Sequence, residues 1–127
     1  MDDRIAEALT RGGLIDFTTT GRQTGLARRL EIAYHVIDGR IFITGRPSRR
    51  KRGWIANLEA DPHLTFHLKR GVHADLPATA RVITDPAERR SILSVIARSW
   101  NTSPDVMVDF SPLIEVTIDP AALSAAA

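Results

Sequence analysis

Cysteine is absent from all 127 residues, which excludes disulfides and thiolate metal sites and fits a reducing, cytoplasmic compartment. Long apolar runs are absent as well. No stretch approaches the roughly 18 residues a membrane helix needs, and the start, Met-Asp-Asp-Arg, has no hydrophobic segment behind it, so no secretory signal is expected. No Gly-x-Ser-x-Gly elbow, Walker loop or dinucleotide fingerprint occurs, which removes those routes to a nucleophilic serine or a cradled nucleotide. Tyrosine appears once, as Tyr34, and lysine twice, so fifteen of the 17 basic residues are arginine. Such a bias reflects either the codon composition of the source or a use for arginine's planar fork on phosphates and carboxylates.

Acidic residues are missing from one stretch in particular. Arg46 to Trp54 reads Arg-Pro-Ser-Arg-Arg-Lys-Arg-Gly-Trp, with five basic side chains and no acidic one; elsewhere twelve basic residues face fifteen acidic ones, so the net charge of +2 arises in this loop. A charge excess confined to one loop suggests a particular anionic partner. A solvated surface segment and a nucleic-acid surface are the competing readings, the latter with only Trp54 nearby to stack on a base. The four histidines do not make a metal site. His63 and His67 share a face of a predicted strand, about 13 Å apart at 3.3 Å per residue, too far to share an ion with bonds near 2 Å, and a polar strand face accounts for both.

What is present predicts one domain over residues 1–127, with one core. Asp2 or Asp3 is expected to cap a short helix with Ile5 and Leu9 on one face, stopped by Gly12-Gly13. Leu14 to Thr20 reads as a strand running into the turn Gly21-Arg22-Gln23-Thr24-Gly25. From Leu30 the alternation puts Leu30, Ile32, Tyr34 and Val36 on one face and Glu31, Ala33, His35 and Ile37 on the other, and Asp38-Gly39 marks a hairpin to a strand over Arg40 to Thr44. Trp54, Ile55 and Leu58 have helical spacing, ended by Asp61-Pro62. Leu64, Phe66 and Leu68 predict a fourth strand, and Ala78, Ala80 and Val82 a fifth. Asp85-Pro86-Ala87-Glu88 opens a helix with Ile92, Leu93, Ile96 and Trp100 in its stripe. A loop from Asn101 to Asp105 then leads to a closing strand with Ile114, Val116 and Ile118, and an alanine-rich tail expected to fray. Six short strands joined mainly by turns favour an α+β fold in which an antiparallel sheet rolls into a small barrel with three peripheral helices.

Two turns carry the anion-binding potential. In Gly21 to Gly25, with Arg28 and Arg29 behind it, and in the loop Arg46 to Arg52, glycines let backbone amides approach an anion and arginines add directed charge. The string Thr18-Thr19-Thr20-Gly21-Arg22-Gln23-Thr24-Gly25 with Arg29, followed by strand, Asp38-Gly39, strand, basic loop and Trp54-x-x-Asn57-Leu58-x-x-Asp61-Pro62, resembles the deazaflavin-dependent nitroreductase family. The likeness runs from Phe17 to the Asp85–Arg89 cap. It implies a split β-barrel oxidoreductase using coenzyme F420, a flavin relative with a phosphate and a polyglutamate tail. On that resemblance Arg22, Gln23, Thr24 and Arg29, the run Gly45, Arg46, Pro47, Ser48, Arg49, Arg50, Lys51 and Arg52, and Trp54 and Asn57 of the short helix form the cofactor site. Tyr34 faces the deazaflavin region and is the candidate proton donor, with His35 or solvent as alternatives.

The chain departs from the family pattern at Gln23, commonly lysine, and at Ile32, often proline, and it lacks the carboxy-terminal tyrosines that line the substrate pocket of relatives. The implied reaction is hydride transfer from reduced F420 to an electron-poor acceptor of the quinone, nitroaromatic or enone class. The alternatives are flavin mononucleotide (FMN) in the same barrel, as in pyridoxamine-phosphate-oxidase-like proteins, and a non-enzymatic barrel binding an anionic cofactor or nucleic acid. A homodimer without metal is the expected assembly.

Overall fold

Alternation of apolar and polar residues produces six strands, which the computed structural model, describing residues 3–125, closes into one barrel. In chain order the elements are α1 (Asp3–Arg11), β1 (Gly13–Thr20), β2 (Ala27–Ile37), β3 (Arg40–Thr44), α2 (Gly53–Ala60), β4 (His63–Leu68), β5 (Ala74–Val82), α3 (Pro86–Trp100), α4 (Pro104–Phe110), β6 (Leu113–Ile118) and α5 (Pro120–Ala125). The strand order is β1-β2-β3-β6-β5-β4 and back to β1, antiparallel throughout. The fold is thus the expected α+β barrel. Its main core contains the residues that alternation placed on one face of each strand: Tyr34 of β2, Leu64, Phe66 and Leu68 of β4, Ala78 of β5, and Ile114, Val116 and Ile118 of β6, joined by Ile15, Phe17, Ile41 and Ile43. No helix among the described residues is long and apolar enough to cross a membrane.

Among the described residues five helices accompany the barrel instead of three. The expected loop after α3 contains α4, because the Ser103 side chain accepts a hydrogen bond from the Val106 amide and Pro104 occupies the first turn. Asp85 and Pro86 start α3 in the same way. Together α3 and α4 cover a second core of Phe42, Ile83, Ile92, Leu93, Ile96, Met107 and Leu113. Phe42 lies between Ile41 and Ile43 of the main core, so β3 is apolar on both faces. The tail expected to fray begins as α5, where the Asp119 carboxylate accepts from the Ala121 amide. In α1 the buried residues are Ile5 and Ala8; Asp2, the alternative cap, lies outside the described residues.

His67 also departs from expectation. It is only 7% exposed, held between Thr18 Oγ1, 2.7 Å from its Nε2, and Asp75 Oδ1, 2.6 Å from its Nδ1. His63, on the same strand face, is exposed as a polar face requires. Burial follows here from what the neighbouring strands β1 and β5 place beside His67, which periodicity alone does not encode.

Outside the barrel, Glu115 of β6 accepts from Arg40 at 2.8 and 3.0 Å and from Arg81 at 2.9 Å. The Arg40 hydrogen bond is the largest influence on its carboxyl, which stands at about 2 against an ordinary 4.5 even though burial opposes the shift. A carboxylate with a depressed folded-state pKa contributes stability that is present above the unfolded value and lost as pH falls through the folded one. Glu115→Gln is therefore expected to be less stable than the parent at neutral pH, with the gap closing between pH 4.5 and about 2. Urea unfolding midpoints of both proteins across that range measure it; a gap independent of pH would refute the assignment.

Candidate functional site

Because β1 and β3 are both antiparallel to β2, their carboxy-terminal ends lie at the same end of the barrel. The Gly21–Gly25 turn and the basic loop therefore leave from one rim. Between them sits α2, which puts Trp54, Ile55 and Leu58 into the main core. Trp54 meets Phe17 edge to face at 5.4 Å and is 9% exposed, so it packs in the core and does not face the recess beside the turn.

The turn is closed by hydrogen bonds from the Gly21 amide to the Leu26 carbonyl and from the Gly25 amide to the Gly21 carbonyl, both 2.8 Å. A Cβ at Gly21 would lie 2.9 Å from Thr24 Oγ1 and 3.1 Å from the Leu26 carbonyl, so the tight turn requires glycine. Asn57 ties it to the barrel. Its Oδ1 accepts from the Arg22 amide and its Nδ2 donates to Thr19 Oγ1, both at 3.1 Å. With this side chain 7% exposed, Asn57 is a fixed bracket between α2, β1 and the turn. The resulting recess, about 190 Å³, is lined by Gly21, Arg22, Gln23, Thr24, Arg28, Gly53 and Asn57.

Arg28, not Arg29, belongs to this recess. β2 begins at Ala27, so Arg28 shares the parity of Leu30 and Tyr34, while Arg29 turns to the other face and donates to Asp16 Oδ2 at 3.0 Å. The first amides of α2 also meet the recess at Gly53. Arg52 is the N-cap residue, and no side chain caps this end. The opening amides of a helix have no intrahelical partner, and they carry the positive end of its dipole.

The basic loop is held by its own bonds. Arg52 Nη2 donates to the Arg46 carbonyl at 2.8 Å, the Ser48 amide to the Phe110 carbonyl at 3.0 Å, and the Arg50 amide to Ser48 Oγ at 3.1 Å. Lys51 pairs with Glu59. Arg46 stands over the Trp100 ring at 5.4 Å and Arg49 over Phe110 at 5.5 Å. A Cβ at Gly45 would come within 3.1 Å of Arg52 Nη2 and 3.3 Å of Pro112, so a larger residue there would have to displace the Arg52 side chain; Pro47, two residues on, is half-buried. Ser48 to Arg52 do not line the turn recess; they front a separate cleft of about 520 Å³ that also includes Ile55 and Glu59. Residues 53 and 57 share one side of α2, and residues 55 and 59 are rotated about 200° from them at 100° per residue. The single two-turn wall expected from sequence is thus two recesses divided by a helix.

Tyr34 requires a correction. It lies six residues along β2 from Arg28, about 20 Å at 3.3 Å per residue. It is 4% exposed, its hydroxyl donates to the Ala8 carbonyl at 2.5 Å, and its ring packs on Phe66. Burial raises its pKa. Inward parity on β2 commits the phenol to the core, and the proton-donor role is withdrawn. Tyr34→Phe is expected to retain turnover while losing about 0.5–1.5 kcal/mol of stability; a large fall in kcat at unchanged KM would restore the role. His35, on the opposite face, sits edge-on to Trp100 at 5.4 Å with its pKa lowered by burial.

A family model described as F420H(2)-dependent quinone reductase matches residues 2–123. No curated protein matches the chain. Among solved structures, a conserved hypothetical protein from Mycobacterium tuberculosis aligns with a TM-score of 0.68 at 20% identity, over 93% of this chain and 80% of that one. An F420-H2-dependent reductase aligns at 0.60 and 20%, over 82% and 93%, and a structure described as a domain-swapped dimer at 0.61 and 16%, over 91% and 95%. At these identities the structural likeness is one of fold.

Proposed function

This chain belongs to the F420H(2)-dependent quinone reductase family and is an F420-dependent reductase, and from that premise we propose that it transfers a hydride from reduced coenzyme F420 to an electron-poor small molecule of quinone, nitroaromatic or enone type. The observation that carries the coenzyme assignment is the uncapped start of α2 facing the Gly21-Arg22 turn, with Arg28 beside it. Unsatisfied helix amides and two guanidinium groups suit a phosphate; the Gly21, Arg22 and Gly25 amides are engaged within the protein and hold the turn in shape.

In this reading Arg22 and Arg28 hold the phosphate, Gln23, Thr24 and Gly53 line its seat, and Asn57 orients the turn. Arg46, Arg49, Arg50, Lys51 and Arg52 supply a positive rim that attracts the carboxylates of the tail and steers the coenzyme inward. Arg29 is left out because Asp16 engages it. When bound, the deazaflavin supplies the hydride; the chain supplies position and exclusion of water. With Tyr34 committed to Ala8, the proton comes from solvent. We also propose a single domain and a homodimeric assembly, and a monomeric mass in solution would refute the latter.

The test is an equilibrium titration of the purified protein with F420 and, separately, with FMN, followed by cofactor fluorescence. F420 is expected to bind more tightly than FMN by about tenfold or more, with affinity that falls as salt screens the basic rim. Absence of F420 binding at tens of micromolar, or tighter binding of FMN, would sink the proposal.

A further inference from the structure

Thr19 continues the inward alternation of Ile15 and Phe17 on β1 and is its last buried residue before the Gly21 turn. Valine would serve strand preference and packing there as well, yet the position holds a hydroxyl in a residue only 2% exposed. A buried hydroxyl costs free energy unless it is bonded, and this one accepts from Asn57 Nδ2 at 3.1 Å. Across the β1–β2 ladder Thr19 lies opposite Arg28, and Arg22 follows three residues on. It is therefore next to both arginines assigned to the phosphate without itself lining their recess.

A carboxamide has an acceptor end and a donor end, and the two ends of Asn57 have different tasks. The Arg22 amide can only donate, so it takes the oxygen, Oδ1, at 3.1 Å. The NH2 end then needs an acceptor of its own, because the Asn57 side chain is buried, and Thr19 supplies it. We propose, on the F420 reading of the recess, that Thr19 is a positioning residue for coenzyme binding. Through Asn57 it fixes the Arg22 backbone, and so the root of the Arg22 side chain, beside Arg28.

Replacing the hydroxyl by a methyl group leaves the Asn57 NH2 buried and unpaired, a state more costly than the bond itself is favourable. Asn57 lines the recess, so its carboxamide relieves that state by rotating toward water there, and Oδ1 leaves the Arg22 amide. Coenzyme then meets a turn that is in place only part of the time, and the apparent affinity falls by that fraction. No charge is altered. Attraction by the basic rim, and the dependence of binding on salt, stay as they were.

The experiment compares Thr19→Val and Thr19→Ser with the parent in the full chain. Without coenzyme, hydrogen exchange of the Arg22 amide is expected to quicken about tenfold in Thr19→Val and to stay near the parent's in Thr19→Ser. With F420, Thr19→Val should weaken binding about fivefold at an unchanged salt dependence, and serine should restore it. Tyr34→Phe removes a buried hydroxyl bond, to the Ala8 carbonyl, six residues along β2 from Arg28; as the control for lost stability it should move neither readout. Parent-like Arg22 exchange in Thr19→Val, an affinity loss that serine does not restore, or an equal loss in Tyr34→Phe would each overturn the proposal. Failure of the parent to bind F420 would instead overturn the coenzyme reading, and Arg22 exchange would decide the tie from Thr19 on its own.

Discussion

Arg28→Ala is expected to weaken F420 binding by about 10- to 100-fold, whereas Arg29→Ala should leave it nearly unchanged. A charge-assisted hydrogen-bonded contact contributes about 1.5–3 kcal/mol, and 1.4 kcal/mol is a factor of ten in affinity. Arg28 has the recess beside it; Arg29 is on the opposite face of β2, against Asp16. The two residues are adjacent, carry the same charge and are both exposed, so net charge and long-range attraction change equally in the two variants. Only position distinguishes them. Titrations of both variants at one ionic strength decide the matter, and the reverse order of effects would place the phosphate on the outer face of the barrel.

Phe17→Ala is the substitution expected to cost most stability. Phe17 is fully buried in the middle of β1 and stacks edge-on against Trp54, and removing a buried phenylalanine costs about 3–5 kcal/mol. Against a total of about 5–15 kcal/mol for an ordinary domain, that is a large share. The loss is also directed at the site, because Trp54 fixes α2, and α2 carries Asn57 and the uncapped amides at Gly53. Coenzyme affinity should therefore fall at temperatures where the barrel is still folded. Urea unfolding combined with binding measured well below the melting temperature separates the two effects. A variant that loses stability but binds F420 as the parent does would show that α2 is held by other contacts.

Much of the barrel was legible because alternation is a local signal. Leu64, Phe66 and Leu68, or Ile114, Val116 and Ile118, declare an inward face without reference to any other strand. The two turns were equally plain, since glycine pairs and Asp38-Gly39 have few uses other than reversing a chain. What escaped depended on where a strand begins and what lies across from it. Starting β2 at Leu30 instead of Ala27 left Arg28 and Arg29 without an assigned face; extending the same alternation back two residues would have separated them.

The helix α4 was missed although Ser103-Pro104 announces it, because seven residues with one buried side chain, Met107, make no visible stripe. The division of the basic surface into two recesses was beyond local pattern. It depends on α2 crossing the barrel end, which follows from β4 pairing with β1, a contact between residues some fifty positions apart. Tyr34 shows a different limit: its inward parity was readable, but a role carried over from relatives assigned it to the cofactor, and only the Ala8 carbonyl beside its hydroxyl reveals its partner.

Closure of the barrel also governs how the chain is made. The meander β1-β2-β3 can form as soon as it is synthesised, but the far edge of β3 pairs with β6, where Ile41 lies opposite Val116 and Ile43 opposite Ile114. Until those late residues leave the ribosome, β3 presents open backbone groups flanked by isoleucines inside and Phe42 outside, an invitation to other strands. Contacts so distant in sequence also make closure slow. The last strand is thus the step that protects the nascent chain, and a protein cut short before Leu113 should accumulate as aggregate even though five of its six strands are complete.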